Sequence, residues 1–222
     1  MGTREARTAD WAALRLLPAL QWLAIGLLLT TVVRIEVGRW SLATIGWLVL
    51  AWAAHVGWAR CRSVPARTWW VITGVVSVAI AGLGVITAPQ SDGRAVIDLL
   101  VVAWQVAAIW AVATTATELG VQLAGSWRRV AAWSVPAALL FAGATLWVRR
   151  VGEPKPEFTG GSSWTVGGMD MTLTGRQWLV PLVCALPMFV VLCVSFVLFV
   201  RTYRAGNAAG DTATRQQPAA PR

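Results

Sequence analysis

A single histidine, His55, and three cysteines are scattered through 222 residues, so no cluster exists from which a metal centre could be built. Cys184 and Cys193 share one apolar run at a spacing that suits neither a metal nor a mutual disulfide, and Cys61 stands apart from both. These thiols read as small apolar fillers. The only lysine, Lys155, lies in a polar stretch, which excludes an intramembrane Schiff base. There is no Gly-rich phosphate loop before a lysine, no His-Glu-x-x-His and no Gly-x-Ser-x-Gly. No cofactor and no metal is expected, and no catalytic residue can be assigned.

Charge is equally scarce. Asp, Glu, Lys and Arg make up 13% of the chain, about half the share of a soluble domain, which excludes a surface suited to water. What fills the space is apolar: 57% of residues are hydrophobic and the mean hydropathy is +0.61. The apolar residues gather into six runs, at 16–33, 40–59, 68–88, 95–117, 130–148 and 178–200. Each is about the length that a hydrocarbon layer of roughly 30 Å demands of a helix. Arg34, Arg60 with Arg62, the Pro89 to Gly93 turn and Glu118 close the first four. Pro136, Pro181 and Pro187 lie inside the last two, where kinks are expected.

The expected fold is an all-α integral membrane protein, a six-transmembrane-helix bundle. An N-in/C-in orientation puts twelve of the nineteen basic residues on the cytoplasmic side, although the Arg149-Arg150 pair counts against it. Residues 1–15 are then a cytoplasmic N-terminal segment, 149–177 one larger extracytoplasmic loop between helices 5 and 6, and 201–222 a disordered cytoplasmic tail. The N-terminal segment carries Arg4, Glu5, Arg7 and Asp10 and lacks the pattern of a cleaved signal; Asp10 is a candidate N-cap for a short interfacial helix. The net charge of +9 is spread over loop ends, which suits anionic head groups rather than nucleic acid. Arginine supplies all but one of the basic residues, a bias expected of a GC-rich genome, and the expected location is a bacterial, actinobacterial, inner (plasma) membrane.

Fifteen tryptophans are the second compositional oddity. Those near run ends, among them Trp69, Trp70, Trp127 and Trp178, read as interfacial belt residues. Deeper ones, among them Trp47, Trp104 and Trp110, either pack against neighbours or line a cavity for an apolar or isoprenoid ligand.

Polar groups inside apolar runs are the best pointers to function, because they are expensive in hydrocarbon. Asp98 and Gln105 fall on one stripe of the fourth run. They line an outer vestibule together, or Asp98 reaches the interface or pairs with Arg94. The candidate ligand or pathway residues are Asp98, Gln105, His55 and Trp104. Ala103, Ala107, Ala111 and Thr115 recur every four residues along the same run, and Ser77 and Ala81 do so along the third, a spacing that lets helices approach closely. The fourth helix is therefore expected to be central. In the large loop, residues 162–174 alternate about Gly167-Gly168 and predict a hairpin, and Glu153, Glu157 and Asp170 read as solvated charge.

Three function classes fit. In layout alone the chain resembles the membrane subunit of exporters driven by a separate ATPase. That reading implies a transport-type or accessory subunit with a partner membrane subunit or ATPase docking at 60–67 and 118–129. The alternative is a membrane enzyme acting on an isoprenoid or lipid. A terpene-cyclising membrane enzyme is similar in size and span number, but it needs a protonating carboxylate in an apolar pocket, and Glu36, Asp92 and Asp98 all fall near the surface. The third class, a sensor, immunity or assembly protein, needs no catalytic residue.

Overall fold

The computed structural model describes residues 2–31, 36–37, 40–87, 92–154, 164–166, 169–173 and 175–216, with side-chain packing described for 14–30, 43–87, 95–152, 173, 177–208. Six α-helices follow the six apolar runs in order: α1 (Gly2–Thr31), α2 (Leu42–Arg60), α3 (Val64–Ile86), α4 (Asp92–Leu119), α5 (Ala124–Val151) and α6 (Leu179–Gln216). Among the residues whose side chains are described, four stretches are long and apolar enough to cross a membrane, at Val64–Ile86, Ala95–Leu119, Ala124–Val151 and Leu179–Ala208. In α1 the described stretch Leu14–Thr30 is a shorter apolar helix.

The helix ends differ from the sequence expectation for local reasons. Pro65 sits in the first turn of α3, where its missing N–H has no intrahelical partner to lose, so this helix starts at Val64, ahead of the apolar run. α4 ends at Leu119, and Gly120 after it adopts a φ of +72°, a conformation that favours a residue without a Cβ. Val121 N–H then donates to the Ala116 carbonyl across that reversal, and α5 begins three residues later. Asp10, expected as a cap, lies inside α1, which begins at Gly2. α6 does not stop at Val200: the stretch expected to be disordered is helical as far as Gln216, and 217–222 lie outside the described residues. A helix already formed extends without a new nucleation cost, and Thr202, fully buried, anchors the extension. Pro181 falls in the first turn of α6, where it breaks no ladder, while Pro18, Pro136 and Pro187 are helix-internal.

Neighbouring helices run antiparallel and close into a ring. Gly26 meets Leu50 and Gly46 meets Thr30 across α1 and α2; Trp104 reaches Ser77 and Trp70 reaches Thr115 across α3 and α4; Trp127 reaches Thr202 across α5 and α6. α6 packs back on α1, and α1 also touches α4 across the middle, so two four-helix halves share those two helices. α4 is the most enclosed: 50% of its apolar span is buried, against 28% for α3, 33% for α5 and 17% for α6. The small-residue seam accounts for this in part, since Ala107, Ala111 and Thr115 on α4 and Ser77 and Ala81 on α3 are buried.

Two small antiparallel sheets cap one end. β1 (Glu36–Val37) pairs with β2 (Trp40–Ser41) between α1 and α2, so α2 starts two residues later than its apolar run. Between α5 and α6, β4 (Trp164–Val166) and β5 (Met169–Thr172) form the expected hairpin, and β3 (Glu153–Pro154) adds to the far edge of β5. The outer wall is apolar almost throughout, with Trp133, Leu139, Phe189 and Phe196 each more than 60% exposed. Such a wall is compatible with a membrane and not with water.

Candidate functional site

α4 carries Trp104, Gln105, Ala108, Ile109 and Val112 on one stripe, and α1 turns Leu23, Ala24, Leu27 and Leu28 toward it. With Trp127 of α5 and Leu192, Ser195, Phe196 and Phe199 of α6, they enclose a cavity of about 430 Å³. That volume lies within the usual range of small-molecule sites. Leu23, Trp104 and Trp127 are buried and form its floor, while Leu27, Leu28 and Phe196 are exposed and form a rim. The cavity therefore opens sideways between α1 and α6, through the apolar wall.

The floor is held rigidly by hydrogen bonds that face away from the cavity. The Trp104 indole N–H donates to Ser77 Oγ at 2.8 Å, and the Trp47 ring meets Trp104 edge-on at 5.3 Å. The Trp127 N–H donates to Thr202 Oγ1 at 3.2 Å. Ser77 and Thr202 donate in turn to the carbonyls of Thr73 and Leu198 one turn back, so each hydroxyl is used as donor and acceptor. Two polar side chains remain on the cavity wall. Ser195 donates to the Val191 carbonyl and keeps an acceptor free; the Gln105 amide, near the middle of α4, bonds no other described residue.

Of the four candidate residues, Trp104 and Gln105 share this cavity. Asp98 does not line it. The Arg94 side chain, the other partner expected of Asp98, lies outside the described residues. His55 is exposed on the outer wall, its ring flanked by Trp52 at 5.4 Å and Trp58 at 5.8 Å. Among the described residues no group of three His, Cys, Asp or Glu could hold a metal.

A second polar cluster sits where α2 turns into α3. Thr115 Oγ1 accepts from the Trp70 N–H at 2.8 Å, lies 3.2 Å from Cys61 Sγ and donates to the Ala111 carbonyl. Glu118 accepts from the backbone N–H groups of Arg62 and Ser63 and from the Ser63 hydroxyl, so a carboxylate of α4 caps the start of α3. Burial pushes the Cys61 thiol up from its ordinary value. Cys61 and Thr115 thus hold three helices together rather than filling space. Trp70 and Trp127, expected at the interface, are 1% and 2% exposed and serve as interhelical donors. The Trp110 N–H, buried beneath the stacked Trp69 ring, has no partner among the described residues. Sequence reading passed over Ser195, although it is a hydroxyl on the same stripe as Leu192 and Phe199. Comparison adds no relative to this geometry: no family model, no curated protein and no solved structure matches the chain.

Proposed function

We propose that this chain is a multi-pass membrane protein that takes a neutral, mostly apolar molecule with one hydrogen-bonding group, such as an isoprenoid alcohol or quinone, from the bilayer into the α1/α4/α6 cavity. One observation carries the reading: Gln105 presents an amide that bonds no other described residue to a wall that is apolar apart from the Ser195 hydroxyl. An amide left unsatisfied in hydrocarbon costs about 1–3 kcal/mol, so a ligand carrying a hydroxyl or carbonyl gains what a pure hydrocarbon does not. No charged side chain lines the cavity, which disfavours an ionic ligand.

A transport-type or accessory role in an inner membrane, with all six helices spanning and both termini inside, accords with these features. Eight described arginines, Arg15, Arg60, Arg62, Arg67, Arg128, Arg129, Arg201 and Arg204, lie toward the end of the ring that carries the α2–α3 and α4–α5 turns, and all are exposed. Energy for transport would come from a partner ATPase docking at those turns. The competing reading, an isoprenoid- or lipid-modifying enzyme, needs a proton donor at the ligand, and no carboxylate lines the cavity.

The test is binding of a fluorescent prenyl alcohol to the purified protein in nanodiscs. Ala108→Trp, which fills the cavity, should abolish saturable binding; Gln105→Leu should weaken it by about tenfold, the worth of one hydrogen bond, and leave binding of the matching hydrocarbon unchanged. Equal binding by wild type and Ala108→Trp would overturn the reading.

A further inference from the structure

Beside the central cavity, α1 and α6 leave a second, open hollow of about 510 Å³, lined by Gln21, Trp22, Ala24, Ile25, Phe199 and Tyr203. Ala24 and Phe199 line the central cavity as well, so the two hollows share a boundary on the α1/α6 seam. Both residues are partly buried, whereas Gln21, Trp22 and Ile25 are exposed and place the second hollow on the outer wall. Gln21 comes three residues before Ala24 and Tyr203 four after Phe199. Each polar side chain therefore sits about one turn beyond the shared pair, toward the arginine-bearing end.

This hollow holds polar groups that the fold does not use. The Gln21 amide and the Tyr203 hydroxyl bond no other described residue, while the Tyr203 ring stacks on Phe199 with centroids 6.3 Å apart. Gln21 and Gln105 are the only carboxamides inside the six apolar runs, and each lines one of the two adjoining hollows. No charged side chain lines either one. Tyr203, the only tyrosine, lies past the last apolar run, between Arg201 and Arg204. In the proposed membrane arrangement that is the level of the lipid head groups, which suits a ring with a polar tip; Gln105 lies deeper.

We infer that the Gln21–Tyr203 hollow is the entry station for the neutral, hydroxyl- or carbonyl-bearing molecule of the central cavity, an inference that rests on the function proposed for that cavity. Depth selects this occupant. A prenyl alcohol or similar amphiphile keeps its polar group at head-group level and its chain in hydrocarbon. That puts its hydroxyl at the level of Tyr203 and Gln21, and its chain at the rim formed by Leu27, Leu28 and Phe196. The chain enters between α1 and α6 while the hydroxyl stays on the pair; the hydroxyl then passes Ala24 and Phe199 to reach Gln105. An ionic head group finds no countercharge on this route, and a pure hydrocarbon gains nothing from the pair.

Stopped-flow binding of a fluorescent prenyl alcohol to the protein in nanodiscs tests it. Gln21→Leu with Tyr203→Phe should slow association and dissociation alike, each by about tenfold, the worth of one hydrogen bond. Equilibrium affinity should stay unchanged, because a station on the route alters the barrier and not its ends; Gln105→Leu should change affinity instead. The matching fluorescent hydrocarbon should enter wild type and the double variant at one rate. Tyr203→Phe alone keeps the ring on Phe199 and should slow entry by about threefold, which keeps the inference testable if the double variant does not fold. Equal alcohol rates in wild type and folded variants would overturn it. So would an equal slowing of the hydrocarbon, or equilibrium binding weakened as much as by Gln105→Leu, since the pair would then shape or hold the bound site rather than admit to it. Ala108→Trp, run alongside, separates the two readings. Binding equal to wild type removes the cavity and the entry station with it, whereas abolished binding there with unchanged rates in the double variant removes the entry station alone.

Discussion

Three indole N–H groups tie helix pairs by one device. Trp70 donates to Thr115, Trp104 to Ser77 and Trp127 to Thr202, and each hydroxyl passes its own proton to a carbonyl one turn back. The hydroxyl stays satisfied when the indole is removed, so the cost of losing the bond is modest. Trp104→Phe should lower stability by about 0.5–1.5 kcal/mol, read from thermal unfolding in detergent. A loss above roughly 3 kcal/mol would mean that the ring itself, and not its bond, holds α3 to α4. Cys61 makes a prediction of another kind. Burial raises its pKa above the ordinary 9.0, so the native state holds the proton longer than the unfolded state, and stability falls as pH rises from about 9 toward the native value. Cys61→Ser should flatten that alkaline decline, and in the wild type the thiol should resist maleimide at pH 8 until the protein is unfolded in SDS. These roles were hidden in the sequence because a position near a run end tells depth, not direction: Trp69 and Trp70 are adjacent, yet only Trp70 is fully buried. Gln105 was legible because an amide inside an apolar run is conspicuous whatever it faces.

Glycines separate the helices into those that touch and those that only neighbour. A Cβ at Gly46 would come within 2.9 Å of the Thr30 backbone nitrogen, whereas Gly84 has nothing within 4 Å. Gly46→Ala should therefore push α1 from α2 and cost about 1–3 kcal/mol; Gly84→Ala should be neutral or stabilise by about 0.5–1 kcal/mol through helix propensity. Circular-dichroism melts of the two variants check both signs together. The existence and order of the six helices were legible because long apolar runs bounded by charge leave the chain few alternatives. Their ends were less so. α3 begins early through Pro65, and α6 runs late because Thr202 is buried against Trp127, a partner that only the folded ring supplies. The hairpin about Gly167-Gly168 was readable from alternation and glycines; the addition of β3, from a stretch of prolines and charges, was not.

As a whole the molecule wears its apolar residues outside as well as inside, which sets where it is soluble. Transfer from detergent to water should precipitate it without prior unfolding. A periplasm-active reporter fused after Arg204 should be silent under the proposed N-in/C-in arrangement, and an active fusion would reverse it. The seam that makes α4 central was visible as spaced alanines, but the contact of α6 with α1 that closes the ring left no local mark on either helix. That closure bears on how the protein is made. The cavity is walled by the first and the last of the six helices, with α4 behind them. Under the proposed membrane arrangement the first helix enters ahead of the last, with Leu23, Leu27 and Leu28 facing acyl chains until α6 packs against it. On that proposal membrane lipids are the first molecules to meet the site, and assembly of the bundle is the first occasion on which a ligand would be enclosed.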